Sequence, residues 1–379
     1  NSLTRSLFPE ADDAVLSYIN DDGTMVEPEY YVPIIPFALI NGISGIGTGF
    51  SCSIPAFSPT QIIDYLRFKL RGNDVKAAGE FAPYYEGFKG TVSLLSENKY
   101  LVRGVYEKIG DDKIRITELP IGAWTMPYTS FLEGLMDGRT DKSGKKVAPS
   151  IRDFTSICTE VSVDITVVLP RGKLSELESS TDPVTGINGI EKLFKISTTV
   201  STTNMHMFNR DCKLHKYGSV EEIIEEFYDV RIAMYAKRKA YLIDALQKKL
   251  IKLSNRAKYI LATLNGTVDL RKKKSQEVTD LLTTNGFVTI DGDFKYLIKM
   301  PMDSVTEENV ERILKEKGDA ETELETLQKT KLETMWLSEL NTLHKEYGVY
   351  KQKREKIQLG SHHKKSPVKK NVVKRTVKK

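Results

Sequence analysis

Seven apolar residues, Leu242, Leu246, Leu250, Leu253, Ala257, Ile260 and Leu264, recur at intervals of 4, 4, 3, 4, 3 and 4. That spacing is close to a heptad, so the residues form one stripe of a helix, and Tyr228 and Tyr235 extend the stripe upstream. A single helix is expected over 219–264, stopped by Asn265-Gly266. A second periodic run over 307–347 carries Leu324, Leu327, Trp336, Leu340, Leu343 and Tyr347. An apolar stripe needs a partner, and each run offers the other one. The pair therefore predicts an antiparallel coiled coil (219–264 and 305–347) with a compact insert, 265–304, at its tip. A helix of some 45 residues reaches on the order of 65 Å. Such a structure is a lever or spacer, which a small-molecule pocket does not need.

Upstream the pattern changes. Leu3 and Leu7 share a helical face that Phe8-Pro9 breaks, Ala14–Ile19 suggests a second short helix, and Asn20-Asp21-Asp22-Gly23 is a turn. Residues 1–31 are too few to stand alone and read as the end of a domain. EPEYYVPIIPFALING follows, with prolines that forbid a regular helix, so its apolar run reads as buried extended chain. Ser58 with Gln61 forms a capping box opening a helix over 59–70. Strands are expected at 91–95, 100–106, 113–118 and 161–169, and a helix at 124–136. Residues 137–149 read as a mobile hairpin-like loop, and 174–204 as loops around short elements. The class is a multidomain α+β fold.

The charge of +5 misleads, because residues 361–379 hold eight cations and no acid. Without them the 56 Lys+Arg fall to 48 against 51 acidic residues, so any nucleic-acid surface must be a local patch. The tail, 348–379, is expected to be disordered and basic, and reads as a nuclear-import or DNA-contact segment. No apolar run approaches the roughly 18 residues of a transmembrane helix, so no membrane partner is expected. Cys52, Cys158 and Cys212 lack C-x-x-C spacing, which excludes a zinc site of that type and reads as reduced thiols. The first residue is not Met, and no signal peptide is visible, so the chain reads as a fragment or processed product.

Between Asn41 and Ser51 lies NGISGIGTGFS, in which Gly42, Gly45, Gly47 and Gly49 surround Ile46. Glycine spacing this dense argues against an ordinary helix or strand. Gly42 and Gly47 have P-loop separation but Thr48 follows in place of Lys-Ser/Thr, and a dinucleotide fingerprint counted from Gly45 lands on Phe50. Two readings stay open: a turn whose Ile46 fills the core, or a displayed apolar wedge of the kind that enters DNA from the minor groove. The acidic pairs Asp12-Asp13, Asp21-Asp22 and Asp111-Asp112 sit in turn contexts that favour Asp, so no metal site is assigned. His206 and His215 lack partner spacing and read as structural or exposed. Lys237, Arg238, Lys239, Lys248, Lys249 and Lys252 read as a solvated helix face.

The stretch EPEYYVPIIPFALINGISGIGTGFSCSIPAFSP resembles the eukaryotic-type type IIA DNA topoisomerases (topoisomerase II). So do LFPEADD, YYEGFKGT, ITELPIGAWT, EKLFKISTTVSTTNMHMF and YGSVEEIIEEFYDVRIAMYAKRKAYL. The likeness covers all but the last twenty or so residues. Bacterial gyrase and topoisomerase IV A-type subunits share the fold but carry a different glycine run and rank second. Phe50 stands where the eukaryotic family usually has Trp.

The resemblance implies an architecture: the end of a winged-helix domain (1–31), a mixed α/β tower (32–218), the coiled coil, and a helical C-gate (265–304) through which two copies dimerise. It implies that Ile46 intercalates in and bends double-stranded DNA. It implies further DNA contacts at Asn41, Gly45, Gly47, Thr48, Lys89, Trp124 and the segment Lys195, Ile196, Ser197, Thr198, Thr199, Val200, Ser201, Thr202, Thr203 and Asn204, with Lys195, Thr198 and Thr199 as phosphate donors. The full-length enzyme would pass one duplex through another in the nucleus, using Mg²⁺ and ATP. The nucleophilic tyrosine and its arginine would precede Asn1, with the Mg²⁺-binding acidic cluster and ATPase farther upstream, so no catalytic residue is expected here. The alternative is a non-catalytic DNA-bending, chromosome-organising coiled-coil protein.

Overall fold

The computed structural model describes residues 2–140, 146–159, 161–301 and 304–363. The fold is α+β and divides into two compact units. One comprises Asn1–Leu7, Ile35–Tyr228 and Leu340–Lys379, the other Phe8–Ile34 and Asp229–Glu339.

Helix α1 (Ser2–Leu7) leads through a 3-10 segment, Glu10–Val15, to the hairpin β1 (Tyr18–Asp21) and β2 (Thr24–Pro28). The helix expected over Ala14–Ile19 does not form. Tyr18 and Ile19 enter β1, and Asp22 (φ 47°) with Gly23 (φ 89°) makes the left-handed pair that a two-residue hairpin needs. The prolines then hold the chain extended until α2 (Phe37–Asn41), after which β3 (Ile43–Gly47) and β4 (Phe50–Ile54) pair antiparallel. The glycine run is thus a strand and its turn. Helix α3 (Pro59–Leu70) starts on Ser58, whose hydroxyl accepts from the Gln61 amide at 3.5 Å. Only half of the expected capping box exists, because the Gln61 side chain donates to the carbonyls of Ala78 and Glu80.

Two sheets follow. Strands β5 (Thr91–Ser96), β6 (Lys99–Arg103), β7 (Val105–Lys108) and β8 (Lys113–Glu118) precede α4 (Thr125–Met136) and the short pair β9 (Arg139–Thr140) and β10 (Lys146–Val147). Residues 141–145 of the expected loop lie outside the described residues. After β11 (Asp153–Ser156), β12 (Ile165–Val168), α5 (Lys173–Ser179) and α6 (Gly189–Leu193) come β13 (Ser197–Ser201), β14 (His206–Phe208) and β15 (Leu214–Lys216). The sheet orders are β13-β6-β5 and β11-β12-β8-β7. The strand expected over 100–106 breaks at Gly104, where the chain crosses from one sheet to the other. A Cβ there would meet the Glu118 carbonyl oxygen at 2.2 Å, so only glycine permits the crossing. Ile114, Ile116, Ile165 and Val167 of the second sheet form a core with Leu132, Leu174, Ile190 and Phe194 from the three helices.

Helix α7 (Val220–Leu264) spans the expected periodic run, and Gly266 (φ 73°) ends it. It is followed by α8 (Ser275–Thr284), α9 (Lys295–Ile298), α10 (Glu307–Lys329) and α11 (Leu332–His363). Leu253, Ala257 and Ile260 close against Val310 and Ile313. Farther along, Leu242 and Leu246 border a cavity of 620 Å³ with Leu327, so the seam is not continuous. The second periodic run is two helices. The Lys239 ammonium donates to the carbonyls of Gln328 (3.0 Å) and Thr330 (2.6 Å), which satisfies the acceptors that the end of α10 exposes. The tail expected from residue 348 begins later, since α11 continues to His363, and residues 364–379 lie outside the described ones.

Two groups read as solvent-facing or turn residues are buried. Arg231 and Arg238 of α7 surround Asp12, with Arg231 Nη1 at 2.7 Å and Arg238 Nη1 at 3.3 Å from its carboxylate. Asp12 is thus a buried counter-charge, and its turn context is incidental.

Candidate nucleic-acid interface

The two residues Thr48-Gly49 join β3 to β4, and Gly49 takes φ 84°. In the resulting register Ile46 stands opposite Ser51 and Gly47 opposite Phe50. Ile46 is 94 % exposed, which overturns the reading in which it fills the core. The flanking glycines clear the space around it. A Cβ on Gly47 would meet the Phe50 ring at 2.5 Å, whereas around Gly45 nothing lies within 4 Å. The protein itself therefore has no steric need for glycine at 45, and the open backbone there admits an external surface. Leaving an isoleucine in water forgoes about 1.5–3 kcal/mol of burial. An isolated two-stranded hairpin is also marginal in water, so β3 and β4 need outside support.

That support comes from residues 204–208. The Ser53 amide donates to the Asn204 carbonyl at 2.8 Å, and the Phe50 and Phe208 rings meet edge to face at 6.0 Å. Cys52 lies beneath, its thiol pKa pushed up by burial and opposed by a hydrogen bond from the His206 backbone. Sequence reasoning assigns no role to His206, and its signal is non-local, since its targets lie some 150 residues away.

The segment expected to contact DNA enters from α6, whose start is fixed by the reciprocal Asn188–Glu191 capping box. Lys195 is exposed, takes φ 50°, and holds its ammonium 4.7 Å from the Phe131 ring centroid. Ile196 is fully buried in the core, so its side chain cannot reach a ligand. Strand β13 pairs with β6 and leaves its other edge unpaired within the sheet. Thr199 and Ser201 are exposed, Ser197, Thr198 and Val200 half-buried. Thr202 is buried, and its hydroxyl donates to Asn98. Ser201 also donates to the Asn98 carbonyl and meets Thr203 at 2.9 Å. These bonds occupy the hydroxyls at the end of the segment and leave those of Thr198 and Thr199 turned to other partners.

Other expected residues gather near the start of this strand. Trp124 is 77 % exposed at the N-cap of α4. The same helix supplies Phe131 beneath Lys195, and Tyr128, whose hydroxyl donates to the Phe194 carbonyl at 2.7 Å. Lys89 is exposed two residues before β5, as Lys195 is before β13. Thr91 and Ser197 both stand opposite Arg103, so the two lysines mark one end of the three-stranded sheet. The Lys89 amide hydrogen-bonds to Glu118, whose pKa burial raises above the ordinary carboxylate value against that bond. Asn41 and Thr48 are exposed at the base and tip of the hairpin. The hairpin and the segment 195–208 are therefore one contiguous structure, with Ile46 at one end and two cations and an indole at the other.

The sequence profile described as DNA gyrase/topoisomerase IV (A subunit) matches residues 1–341. DNA topoisomerase 2 of Arabidopsis thaliana is 33% identical over 386 residues, 91% of this chain and 25% of the relative. DNA topoisomerase 2-beta of Mus musculus is 31% identical over 395 residues, 95% of this chain and 24% of the relative. The crystal structure of the Plasmodium falciparum topoisomerase II DNA-binding, cleavage and re-ligation domain aligns with a TM-score of 0.81 and 33% identity, covering 93% of this chain and 49% of that one. The chain spans about a quarter of the length of the curated relatives it matches.

Proposed function

The chain belongs to the family of DNA gyrase and topoisomerase IV A-type subunits, and from that premise we propose that it is the C-terminal part of a topoisomerase II cleavage core that binds and bends the duplex to be cut. The observation that carries this is the stance of Ile46, 94 % exposed between glycines on a braced hairpin. Inserting it between base pairs costs a few kcal/mol of unstacking. Burial of the isoleucine returns part of that cost, and contacts to the bent flanks return the rest. Gly45 and Gly47 let the backbone approach the groove, with Asn41 and Thr48 beside them. Lys195, Thr198, Thr199 and Ser201, with Lys89 and Trp124, supply phosphate and sugar contacts along β13 and beyond its start. Such contacts hold register without reading sequence. Val200, Ser197, Thr203 and Asn204 shape the strand, and Ile196 and Thr202 act only as its internal support.

In the longer protein, the activity is ATP-dependent passage of one duplex through a double-strand break in another, in the nucleus. The relatives' name, DNA topoisomerase 2, favours this over a non-catalytic DNA-bending protein. The helices α7, α10 and α11 serve as the coiled-coil lever, and 265–304 as the gate at which two copies meet. Mg²⁺ and ATP belong to other regions of that enzyme. The acidic pairs here do not fit a metal site: Asp12 is neutralised by two arginines, Asp21-Asp22 forms a hairpin turn, and Asp112 faces Arg152.

The test is Ile46→Ala in the full-length enzyme, with bending of a doubly labelled duplex read by energy transfer. The bent population should collapse while the melting temperature holds, because an exposed substitution changes stability by only about 0.5 kcal/mol. An unchanged bend angle overturns the proposal.

A further inference from the structure

We infer that Asn204 and His206 are positioning residues that hold Ile46 at its working angle. The inference rests on the bending role proposed for Ile46. Three alternate residues of one extended segment, 204, 206 and 208, each grip β4. Asn204 accepts from the Ser53 amide at 2.8 Å through its carbonyl, and its side-chain amide donates to Ser51 Oγ at 2.9 Å. His206 hydrogen-bonds to Cys52 through its backbone. Phe208 meets the Phe50 ring edge on. Ser51 is the residue that stands directly opposite Ile46 in the hairpin register. The hydrogen bond from Asn204 therefore ends one cross-strand step from the wedge.

The Asn204 amide must face the correct way to do this. With Nδ2 given to Ser51, Oδ1 points at His206 Nδ1, 2.7 Å away. Only a protonated Nδ1 satisfies that oxygen, so His206 fixes the orientation of the amide. Asn204 also ends the segment that begins at Lys195, in which β13 is paired along its length with β6. The wedge is thereby braced against the same sheet that carries the proposed phosphate contacts. Flank and wedge then meet the duplex in a fixed relation, and no bound DNA is needed to set it.

The test uses the full-length enzyme and the labelled duplex, with Ile46→Ala as the reference for lost bending. Asn204→Ala and His206→Leu should each lower the ratio of bent to unbent complexes about fivefold, the factor that one typical hydrogen bond carries. The melting temperature and the DNA dissociation constant should stay near those of the parent. His206→Asn keeps a donor at the place of Nδ1 and should restore bending. The inference is overturned if His206→Leu bends DNA as the parent does, if His206→Asn fails as His206→Leu does, or if lost bending tracks lost thermal stability. Normal bending by Ile46→Ala would instead remove the wedge reading beneath it.

Discussion

Replacing Asp12 with alanine should unfold the second unit far more readily than its single lost carboxylate suggests. Asp12 is 3 % exposed and Arg231 is fully buried. The carboxylate takes Arg231 Nη1 at 2.7 Å and Arg238 Nη1 at 3.3 Å. Glu339 supplies the second negative charge, bonded to Arg238 Nη2 and to the Tyr235 hydroxyl, each at 2.6 Å. The Tyr235 ring lies between the two guanidiniums, 4.2 and 4.5 Å from their carbons. Two buried cations are thus matched by two carboxylates. Asp12→Ala leaves one cation unmatched where water cannot reach it, a loss of about 3–5 kcal/mol. The pair Lys248–Asp244, at 2.8 Å, is the control, because its side chains are 74 % and 56 % exposed. Asp244→Ala should cost no more than about 1 kcal/mol. The assay is urea unfolding followed by Trp336, which is buried against Tyr235 at 5.6 Å, in a Trp124→Phe background that silences the exposed indole. The double variant Asp12→Leu with Arg231→Met removes charge from both sides and should recover much of the loss. Equal destabilisation by Asp12→Ala and Asp244→Ala would refute the reasoning, since burial alone separates the two.

Gly104→Ala places a Cβ 2.2 Å from the Glu118 carbonyl oxygen, and a rigid backbone cannot yield. It should cost at least about 1–3 kcal/mol by overpacking, visible as a lowered melting temperature, whereas Gly45→Ala, in open space, should leave stability within about 0.5 kcal/mol. Glu222 has its pKa lowered first by the Gly218 amide and next by His215. A lowered carboxylate contributes stability above its unfolded pKa and loses it as pH falls through the folded value. The stability gap between the parent and Glu222→Gln should therefore be full at neutral pH and vanish in acid below the ordinary carboxylate range. A gap that widened on acidification would contradict the assignment.

Periodicity exposes what it can. The stripe from Leu242 to Leu264 fixes α7, because every residue on it is local to the helix it defines. The bounds of α3 and of β8 are legible for the same reason, with Ser58 and alternating Ile114 and Ile116 in plain view. The break between α10 and α11 has no proline or glycine to announce it. Its stabilising group, Lys239, lies 91 residues from Thr330, so a one-dimensional pattern reads straight through. Arg238 looks solvated beside Lys237 and Lys239 because charge runs usually are. Only Asp12, 226 residues away, shows that it is not.

The glycine run misleads for a related reason. Glycine density argues against a strand when the strand must hold itself together, and by that logic NGISGIGTGFS is a turn. Here most of the hairpin's hold on the protein is borrowed. Asn204 lies 153 residues from Ser51, and with His206 and Phe208 it supplies an edge that β4 lacks on its own. A strand braced from outside is free to spend its own positions on glycine, and so to present one isoleucine with nothing beside it. The residue types that make the run a poor strand in isolation are those that leave Ile46 accessible. Stability and display are therefore divided between two segments, and a reading of either one alone recovers only half of the site.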